Sequence, residues 1–235
     1  MFERPHHRRI ETVLTALDAP LLRANGCLFG GGTAIALRYG EYRESVDVDF
    51  LVSDRTGYRT LRQLLTGPDG FASIVRAGAA LAPLRELRAD QYGIRTVIGV
   101  DGVGLKFEIV LEGRIELAPS GAEDVLCGVA TLTPLDMATS KLLANADRWA
   151  DDSVFSRDLI DLAMMRPAPR LLQQAREKAA AAYGDSVDVE LAKAAQQLLA
   201  REGRLERCMA MMQMTVPPAL LRQSIKSLLP KAARR

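Results

Sequence analysis

The chain has 235 residues, of which 48% are hydrophobic and 26% are charged, and its formal net charge is +2 at pH 7. This composition is typical of a globular protein and excludes a disordered or fibrous chain. No run of about 18 apolar residues is present, so the sequence predicts no membrane span. No apolar run follows the basic start, so it predicts no secretory signal. The three cysteines form no CxxC pair, which favours a reduced, cytoplasmic protein.

The small net charge conceals two basic ends. The N-terminus reads RPHHRR, and the C-terminal residues include Arg222, Lys226, Lys231, Arg234 and Arg235. Such ends can hold a phosphate backbone, and they can equally be solvated tails. His6 and His7 have no third ligand nearby, so we interpret them as part of a frayed end rather than a metal site.

Hydrophobic periodicity predicts alternating helices and strands in the first part of the chain. A helix is expected over residues 9–22, closed by Pro20 and Asn25-Gly26. A short strand over 27–29, a helix over 33–39, a strand over 46–52 and a helix over 58–65 follow.

The middle of the chain predicts a hairpin. Residues 92–100 and 104–111 alternate apolar and polar positions on either side of Asp101-Gly102, which is a strong turn signal. One more strand is expected over 115–117, whereas residues 72–90 fit either a strand or a helix.

The pattern becomes helical from Pro134 onward, with helices expected over residues 134–148, 154–164, 170–183, 187–202, 204–214 and 217–229. Strands followed by helices favour an α+β protein, or an α/β core with a helical domain behind it. We place the core at residues 1–125 and the helical domain at residues 126–235.

Three consecutive glycines, Gly30, Gly31 and Gly32, lie between the first strand and the next helix. Glycine lets the backbone approach a ligand closely, and the free N–H groups at a helix start attract phosphate. A tight turn without a ligand gives the same pattern.

Two aspartates are placed one residue apart in the following strand. Asp47 and Asp49 alternate with Val46, Val48 and Phe50, so both carboxylates are expected on one face and the apolar side chains in the core. Paired carboxylates suit a divalent metal such as Mg²⁺ or Mn²⁺, although an exposed edge strand is the alternative.

An apolar strand, a glycine run, a short helix and an hDhD strand together resemble the nucleotidyltransferase superfamily that includes DNA polymerase β. Within it, the sequence is most similar to the AbiEii/AbiGii abortive-infection toxin family. The segments that carry the resemblance are GGGTAIALRY, RESVDVDFLV, LDMATSKLLA and SRDLIDL. They occur in the expected order over roughly residues 10–165. The resemblance implies a polymerase-β-like core with a mixed sheet, followed by helices.

The resemblance also implies a metal site. Asp47 and Asp49 would hold Mg²⁺ or Mn²⁺, and a third carboxylate is expected on a neighbouring strand. Glu108 is the candidate for that ligand. Because Lys106 shares its strand face, a salt bridge is the equal alternative.

The nucleotide would be bound by the three glycines, Thr33, Arg43 and Ser45. Ser45 precedes Asp47 by two residues and is therefore expected on the same strand face. Arg43 would contact phosphate oxygens, with a surface ion pair to Glu41 or Glu44 as the alternative.

The helical part would contribute Lys141 and Asp158. Lys141 lies in an otherwise apolar helix, where it either snorkels or reaches a phosphate. Asp158 matches the family's functional acid and would orient Lys141 or transfer a proton, and Asp161 is the reserve candidate. The alternative for Asp158 is a surface pair with Arg157 or Arg148.

The implied activity is Mg²⁺-dependent transfer of a nucleoside monophosphate from an NTP, such as ATP, to a hydroxyl acceptor. The 3′ end of tRNA is the first acceptor expected, in a toxin-like role with a cognate antitoxin as partner. Nucleotidylation of a protein or small molecule is one alternative. A nucleotide-binding module without catalysis is another.

Overall fold

The computed structural model describes residues 2–229, so Lys231, Arg234 and Arg235 of the basic C-terminal end lie outside the described residues. The chain forms two compact units. The sheet unit contains the residues up to Arg38 and Ser45–Thr133, and the helical unit contains Tyr39–Glu44 and the residues from Pro134 onward. The predicted combination of a mixed sheet with C-terminal helices is confirmed. Within the described part of the chain, every helix is too short or too polar to cross a bilayer.

The sheet unit is built on a five-stranded sheet with the strand order β1-β2-β5-β4-β3. β2 runs parallel to β5, and the other neighbouring pairs are antiparallel. A separate antiparallel pair joins β6 to β7. The elements are α1 Pro5–Ala16, α2 Ala19–Ala24, β1 Leu28–Phe29, α3 Gly31–Arg38, β2 Val48–Val52, α4 Arg55–Leu65, a 3-10 turn Gly70–Ile74, β3 Arg88–Ala89, β4 Gly93–Val100, β5 Val103–Leu111, β6 Val125–Leu126 and β7 Val129–Ala130.

The predicted first helix is interrupted. α1 ends at Ala16, and the Asp18 carboxylate accepts the Leu21 N–H at 2.9 Å to cap α2. Pro20 therefore lies in the first turn of α2, where its missing N–H costs nothing, and does not close a helix. The single helix over residues 9–22 was wrong because an aspartate N-cap followed by proline starts a new helix.

The predicted hairpin is confirmed. β4 pairs with β5 up to Val100↔Val103, and Asp101 and Gly102 both have positive φ, 49° and 75°. This conformation is the two-residue type I′ turn that Asp-Gly favours. Residues 115–117, in contrast, form no strand.

The helical unit confirms the six predicted helices to within three residues at each end. They are α5 Pro134–Arg148, α6 Arg157–Met165, α7 Pro169–Tyr183, α8 Ser186–Ala200, α9 Arg204–Met211 and α10 Pro218–Leu228. A 3-10 turn, Asp152–Val154, precedes α6.

The core of the sheet unit is a chain of aromatic rings on one face of the sheet. Phe50 of β2 lies 5.4 Å from Phe29 and 5.7 Å from Phe107, measured between ring centroids. Phe71 meets Phe107 edge-on at 5.1 Å. Edge-on and tilted contacts of this kind are favourable beyond the apolar area that they bury.

We expect Phe107→Ala to destabilise the sheet unit by about 3 to 5 kcal/mol, because it opens a cavity in this cluster. Tyr92→Ala is the control, since Tyr92 is 66% exposed and lies in the same unit. Urea unfolding followed by circular dichroism measures both variants. Equal stability of the two variants would contradict the assignment of the core to this face.

Candidate functional site

Asp49 lies on the side of β2 that faces away from the aromatic core. Val48 and Phe50 are fully buried, whereas Asp47 and Asp49 are half-buried. β2 begins at Val48, so Asp47 immediately precedes the strand. Val46 was expected in the core, but it is 43% exposed. That expectation was wrong because β2 begins only at Val48, so Val46 lies outside the strand.

The glycine run packs directly against Asp49. The Gly30 N–H donates to the Asp49 carbonyl oxygen at 2.8 Å. Gly31 opens α3 with φ +66°, and a Cβ atom built there would lie 2.6 Å from Asp49 Oδ2. Only glycine fits both the space and the backbone conformation at Gly31. The first turn of α3, whose N–H groups have no partner within the helix, therefore starts beside the Asp49 carboxylate.

Ser45 is not on the strand face where it was expected. It lies before β2 and is buried, and its hydroxyl is 2.8 Å from the hydroxyl of Thr33 in α3. The Ser45 N–H donates to His7 Nε2 at 3.1 Å. His7 is fully buried in α1, so the interpretation of a frayed N-terminus was wrong. The imidazole and the hydroxyl pair fix the chain just before Asp47.

Glu108 is the register partner of Asp49 in the parallel β2–β5 pair, so the two carboxylates are on the same face of the sheet. Its carboxylate accepts Arg95 Nε at 3.1 Å and Lys106 Nζ at 2.9 Å. The salt bridge that the sequence allowed is therefore present. Burial alone would lower the pKa of Lys106, but Glu108, Asp47 and Asp49 outweigh it and raise that pKa. Lys106 thus lies within electrostatic reach of both aspartates.

The carboxylates of Asp47 and Asp49 suit a divalent cation that has few protein ligands. Among residues 2–229, no three His, Cys, Asp or Glu side chains are close enough together to ligate one metal ion. Mg²⁺ commonly uses one or two carboxylates and takes its other oxygens from water and substrate phosphates. Asp49, which packs against Gly31, and Asp47, two residues before it, are the two carboxylates that can do this.

In the helical unit, Asp161 of α6 is the centre of a buried charge cluster. It is fully buried and receives Arg43 in a two-pronged contact, Nε to Oδ1 at 2.7 Å and Nη2 to Oδ2 at 2.9 Å. The Tyr42 hydroxyl donates at 2.6 Å, and Lys141 Nζ lies 2.8 Å from Oδ2. The surface ion pair of Arg43 with Glu41 or Glu44 was wrong, because the Arg43 carboxylate partner is the buried Asp161.

Asp158, one helical turn before Asp161, joins the same cluster. Its Oδ1 accepts Lys141 Nζ at 2.9 Å, and Arg148 contacts both oxygens at 2.7 and 3.0 Å. Asp158 therefore contacts both Lys141 and Arg148, but it is buried, so the expected alternative of a surface pair was wrong. A helix spacing of three places the two aspartates on one face, and Lys141 of α5 lies between them.

Electrostatics keep both carboxylates ionised. Burial alone would raise the pKa of Asp158, but Lys141 and Arg148 outweigh it and hold that pKa well below its usual range. The same balance, with Arg43 as the strongest opposing charge, lowers the pKa of Asp161. Burial raises the pKa of Tyr42 far above its usual value, and the negative charge of Asp161 adds to this rise. At neutral pH the cluster therefore contains three cations and two anions.

In the helical unit, sequence reasoning missed Tyr42, named Arg148 only as a surface partner of Asp158, and treated Asp161 as a reserve. In the sheet unit, it missed His7. The signal for Asp161 was present, because an aspartate on the apolar face of a helix needs a buried partner. His7 carried no comparable signal, since its partner is a backbone N–H from a distant segment.

The fold resembles solved structures from Helicobacter pylori. A protein assigned there as a candidate nucleotidyltransferase aligns with a TM-score of 0.51 and 14% identity over 95% of this chain and 92% of that chain. The protein JHP933 aligns with a TM-score of 0.55 and 14% identity over 97% and 93%. At this identity the likeness shows the fold. A comparison with curated protein sequences finds no significant match.

The family assignment rests on the sequence. The profile described as the nucleotidyl transferase AbiEii toxin of type IV toxin–antitoxin systems matches residues 13–230, nearly the whole chain. The chain therefore belongs to the AbiEii nucleotidyltransferase toxin family.

Proposed function

We propose that this chain transfers a nucleoside monophosphate from an NTP to a hydroxyl acceptor and releases pyrophosphate, using Mg²⁺ or Mn²⁺ held by Asp47 and Asp49. The acceptor oxygen would bond to the α-phosphorus as the bond between the α- and β-phosphates breaks. The observation that carries the proposal is the position of Asp49 against Gly31. It places an oxygen ligand beside the first turn of a helix, where backbone N–H groups favour phosphate. A bound divalent cation would polarise the phosphate and activate the attacking hydroxyl.

The chain's own residues would bind and orient the nucleotide. Gly30, Gly31 and Gly32 allow a phosphate to approach the α3 backbone, and the Thr33–Ser45 contact holds the entry to β2 in place. Glu108 would have a structural role, because its contacts with Arg95 and Lys106 hold those two side chains on the sheet face beside Asp49. We propose it as a metal ligand only in a state in which those two cations move to a substrate phosphate.

In the helical unit, Lys141 and Arg43 are proposed as phosphate-binding residues. An ammonium has three N–H donors, and the two aspartates occupy two of those on Lys141. The cluster retains one excess positive charge, which favours a phosphate group. Asp158 remains ionised, so we assign it the orientation of Lys141 rather than proton transfer.

We propose tRNA as the acceptor, ATP among the nucleotides tested first, and a cognate antitoxin as the regulatory partner. Membership of a type IV toxin–antitoxin family supports the last of these. Cys27, Cys127 and Cys208 are all free thiols, which supports a reducing compartment such as the cytosol.

Transfer is tested by incubating the protein with tRNA, each radiolabelled NTP and Mg²⁺. We expect Asp47→Asn and Asp49→Asn to lower the transfer rate by at least about 100-fold, because an amide keeps the shape of the side chain but loses the charge that holds the cation. Asp101→Asn is the matched control, since Asp101 is exposed at the hairpin turn and asparagine tolerates positive φ.

Full transfer by Asp47→Asn would refute the metal assignment. Label on a copurifying protein instead of tRNA would indicate protein nucleotidylation. Nucleotide binding by the wild type without transfer would indicate a module that lacks catalysis.

Gly31→Ala tests whether the close packing of Gly31 against Asp49 is needed for transfer. Both Gly31 and Gly26 have positive φ, +66° and +62°, but a Cβ at Gly26 meets nothing within 4 Å. Each alanine costs about 1 to 2 kcal/mol of backbone strain, and only the one at position 31 collides with Asp49. We expect at least about a 10-fold loss of transfer for Gly31→Ala relative to Gly26→Ala. Similar rates in variants of similar melting temperature would contradict the proposed role of Asp49.

The charge cluster predicts a pH-dependent stability. The folded-state pKa of Asp158 is depressed, so its stabilisation is present above the unfolded-state pKa of about 3.9 and is lost as the pH falls through the folded value. At neutral pH, we expect Asp158→Asn to cost about 3 kcal/mol, because Lys141 and Arg148 lose a buried partner. This deficit relative to the wild type should shrink below about pH 4.

Urea unfolding followed by Trp149 fluorescence measures the deficit, since Trp149 is the only tryptophan and belongs to the helical unit. Asp188→Asn is the control, because Asp188 pairs with Arg176 while 58% exposed and such pairs contribute little. A deficit that stays constant with pH would show that Asp158 does not stabilise as a carboxylate.

A further inference from the structure

Helix α4 presents three arginines along one exposed face. Arg55, Arg59 and Arg62 occupy positions i, i+4 and i+7, which align on one side of a helix, and all three side chains are exposed. The sequence of α4, RTGYRTLRQLL, contains no acidic residue. We call these three side chains the α4 arginine face.

The buried side of α4 keeps the α4 arginine face exposed to solvent. Tyr58, Leu61 and Leu65 on the other side are 4%, 0% and 3% exposed, so the helix cannot rotate without exposing them. The Tyr58 hydroxyl also donates to the Asp90 carbonyl oxygen at 2.8 Å. At the start of the helix, Asp54 caps the N–H groups of Thr56 and Gly57, which stabilises the first turn.

Two further basic residues, Arg95 of β4 and Lys106 of β5, connect the surroundings of α4 with the strands beside Asp49. Burial raises the pKa of Tyr58, and the negative charge of Asp90 adds to the rise. The positive charges of Arg62 and Arg95 both oppose it, so both act on the Tyr58 hydroxyl. Arg95 shares the Glu108 carboxylate with Lys106. Lys106 in turn acts electrostatically on Asp47 and Asp49.

Three carboxylates, those of Asp54, Asp90 and Glu108, adjoin these basic residues and α4. Asp90 contacts Arg95 at 3.2 Å, Glu108 lies between Arg95 and Lys106, and Asp54 caps α4. Each of these carboxylates already accepts a hydrogen bond from a cation or a backbone N–H. In residues 2–229, no ion pair occupies Arg55, Arg59 or Arg62.

The spacing of the charges favours an extended polyanion over a single anion. Successive arginines are about 6 and 4.5 Å apart along the helix axis, and their side chains do not converge on a cavity. A row of cations on a rigid helix contacts successive phosphates of a nucleic-acid strand and fixes its register without reading its sequence.

We propose that the α4 arginine face binds the phosphate backbone of the acceptor RNA and directs the strand toward Asp47 and Asp49. The inference rests on the proposed transfer to an RNA hydroxyl. It adds the surface by which the protein selects a polynucleotide acceptor rather than a small molecule.

The test measures RNA binding apart from catalysis. Fluorescence anisotropy of a fluorescein-labelled tRNA transcript gives Kd over a KCl series for the full chain without NTP. The variant Arg55→Gln/Arg59→Gln/Arg62→Gln keeps helix propensity, and circular dichroism checks its fold. We expect the slope of log Kd against log salt to fall by about 2 to 3, and the affinity at 0.1 M salt to fall on the order of 100-fold, because about three phosphate contacts are lost.

The matched control is Arg170→Gln/Arg201→Gln/Arg207→Gln, which removes three exposed arginines from the helical unit and changes the net charge equally. We expect it to keep the wild-type slope. Equal losses in the two variants, or a loss only in the control, would overturn the inference.

Transfer assays separate this inference from the proposed function. Nucleotidyl transfer to a protein by a wild type that binds no tRNA would overturn the RNA surface and keep the nucleotidyltransferase assignment. Binding of tRNA through the α4 arginine face without any transfer would support the surface and refute the catalytic proposal. In an active enzyme, the α4 variant should raise KM for tRNA far more than it lowers kcat.

Discussion

The alternation of side chains along β2 is the constraint on which the sheet unit depends. Val48 and Phe50 contribute to the aromatic core, and the intervening Asp49 must then face the opposite side. A shift of one residue would bury the carboxylate and expose Phe50, so the energy of burying the aromatic rings also fixes the register of the site. Gly31 completes the arrangement, because any side chain there would displace Asp49.

A different balance holds the helical unit's cluster together. Burying Asp161 and Asp158 costs several kcal/mol each, which only close contacts with several cations can repay. Arg43 meets this requirement with a planar, two-pronged contact, and Lys141 is shared between both carboxylates. Because each charged side chain contacts one of opposite charge, the cations are already ordered, and a phosphate bound there as proposed would cost less ordering entropy.

Elements with a local signal were predictable from the sequence. The Asp-Gly hairpin and the six C-terminal helices follow from turn chemistry and from hydrophobic periodicity over long segments. The break between α1 and α2 was missed because the apolar spacing continues through it, and only the Asp18 cap reveals the new start. At the site, the glycines and aspartates form one contiguous motif. The partners of Arg43 and His7 come from segments distant in sequence, and no local pattern identifies them.

Net charge predicted little about binding because it averages over surfaces that act separately. A chain with a formal charge of +2 can still carry a helix with three arginines and no acid. Screening limits each charge to a neighbourhood of about 10 Å at 0.1 M salt. A phosphate therefore responds to the few charges within that range, and the acidic residues elsewhere in the chain have little effect on it. The burial of Tyr58, Leu61 and Leu65 fixes the arginines of α4 on one exposed face. This local arrangement therefore argues for a polyanionic partner more strongly than the small net charge of the chain argues against it.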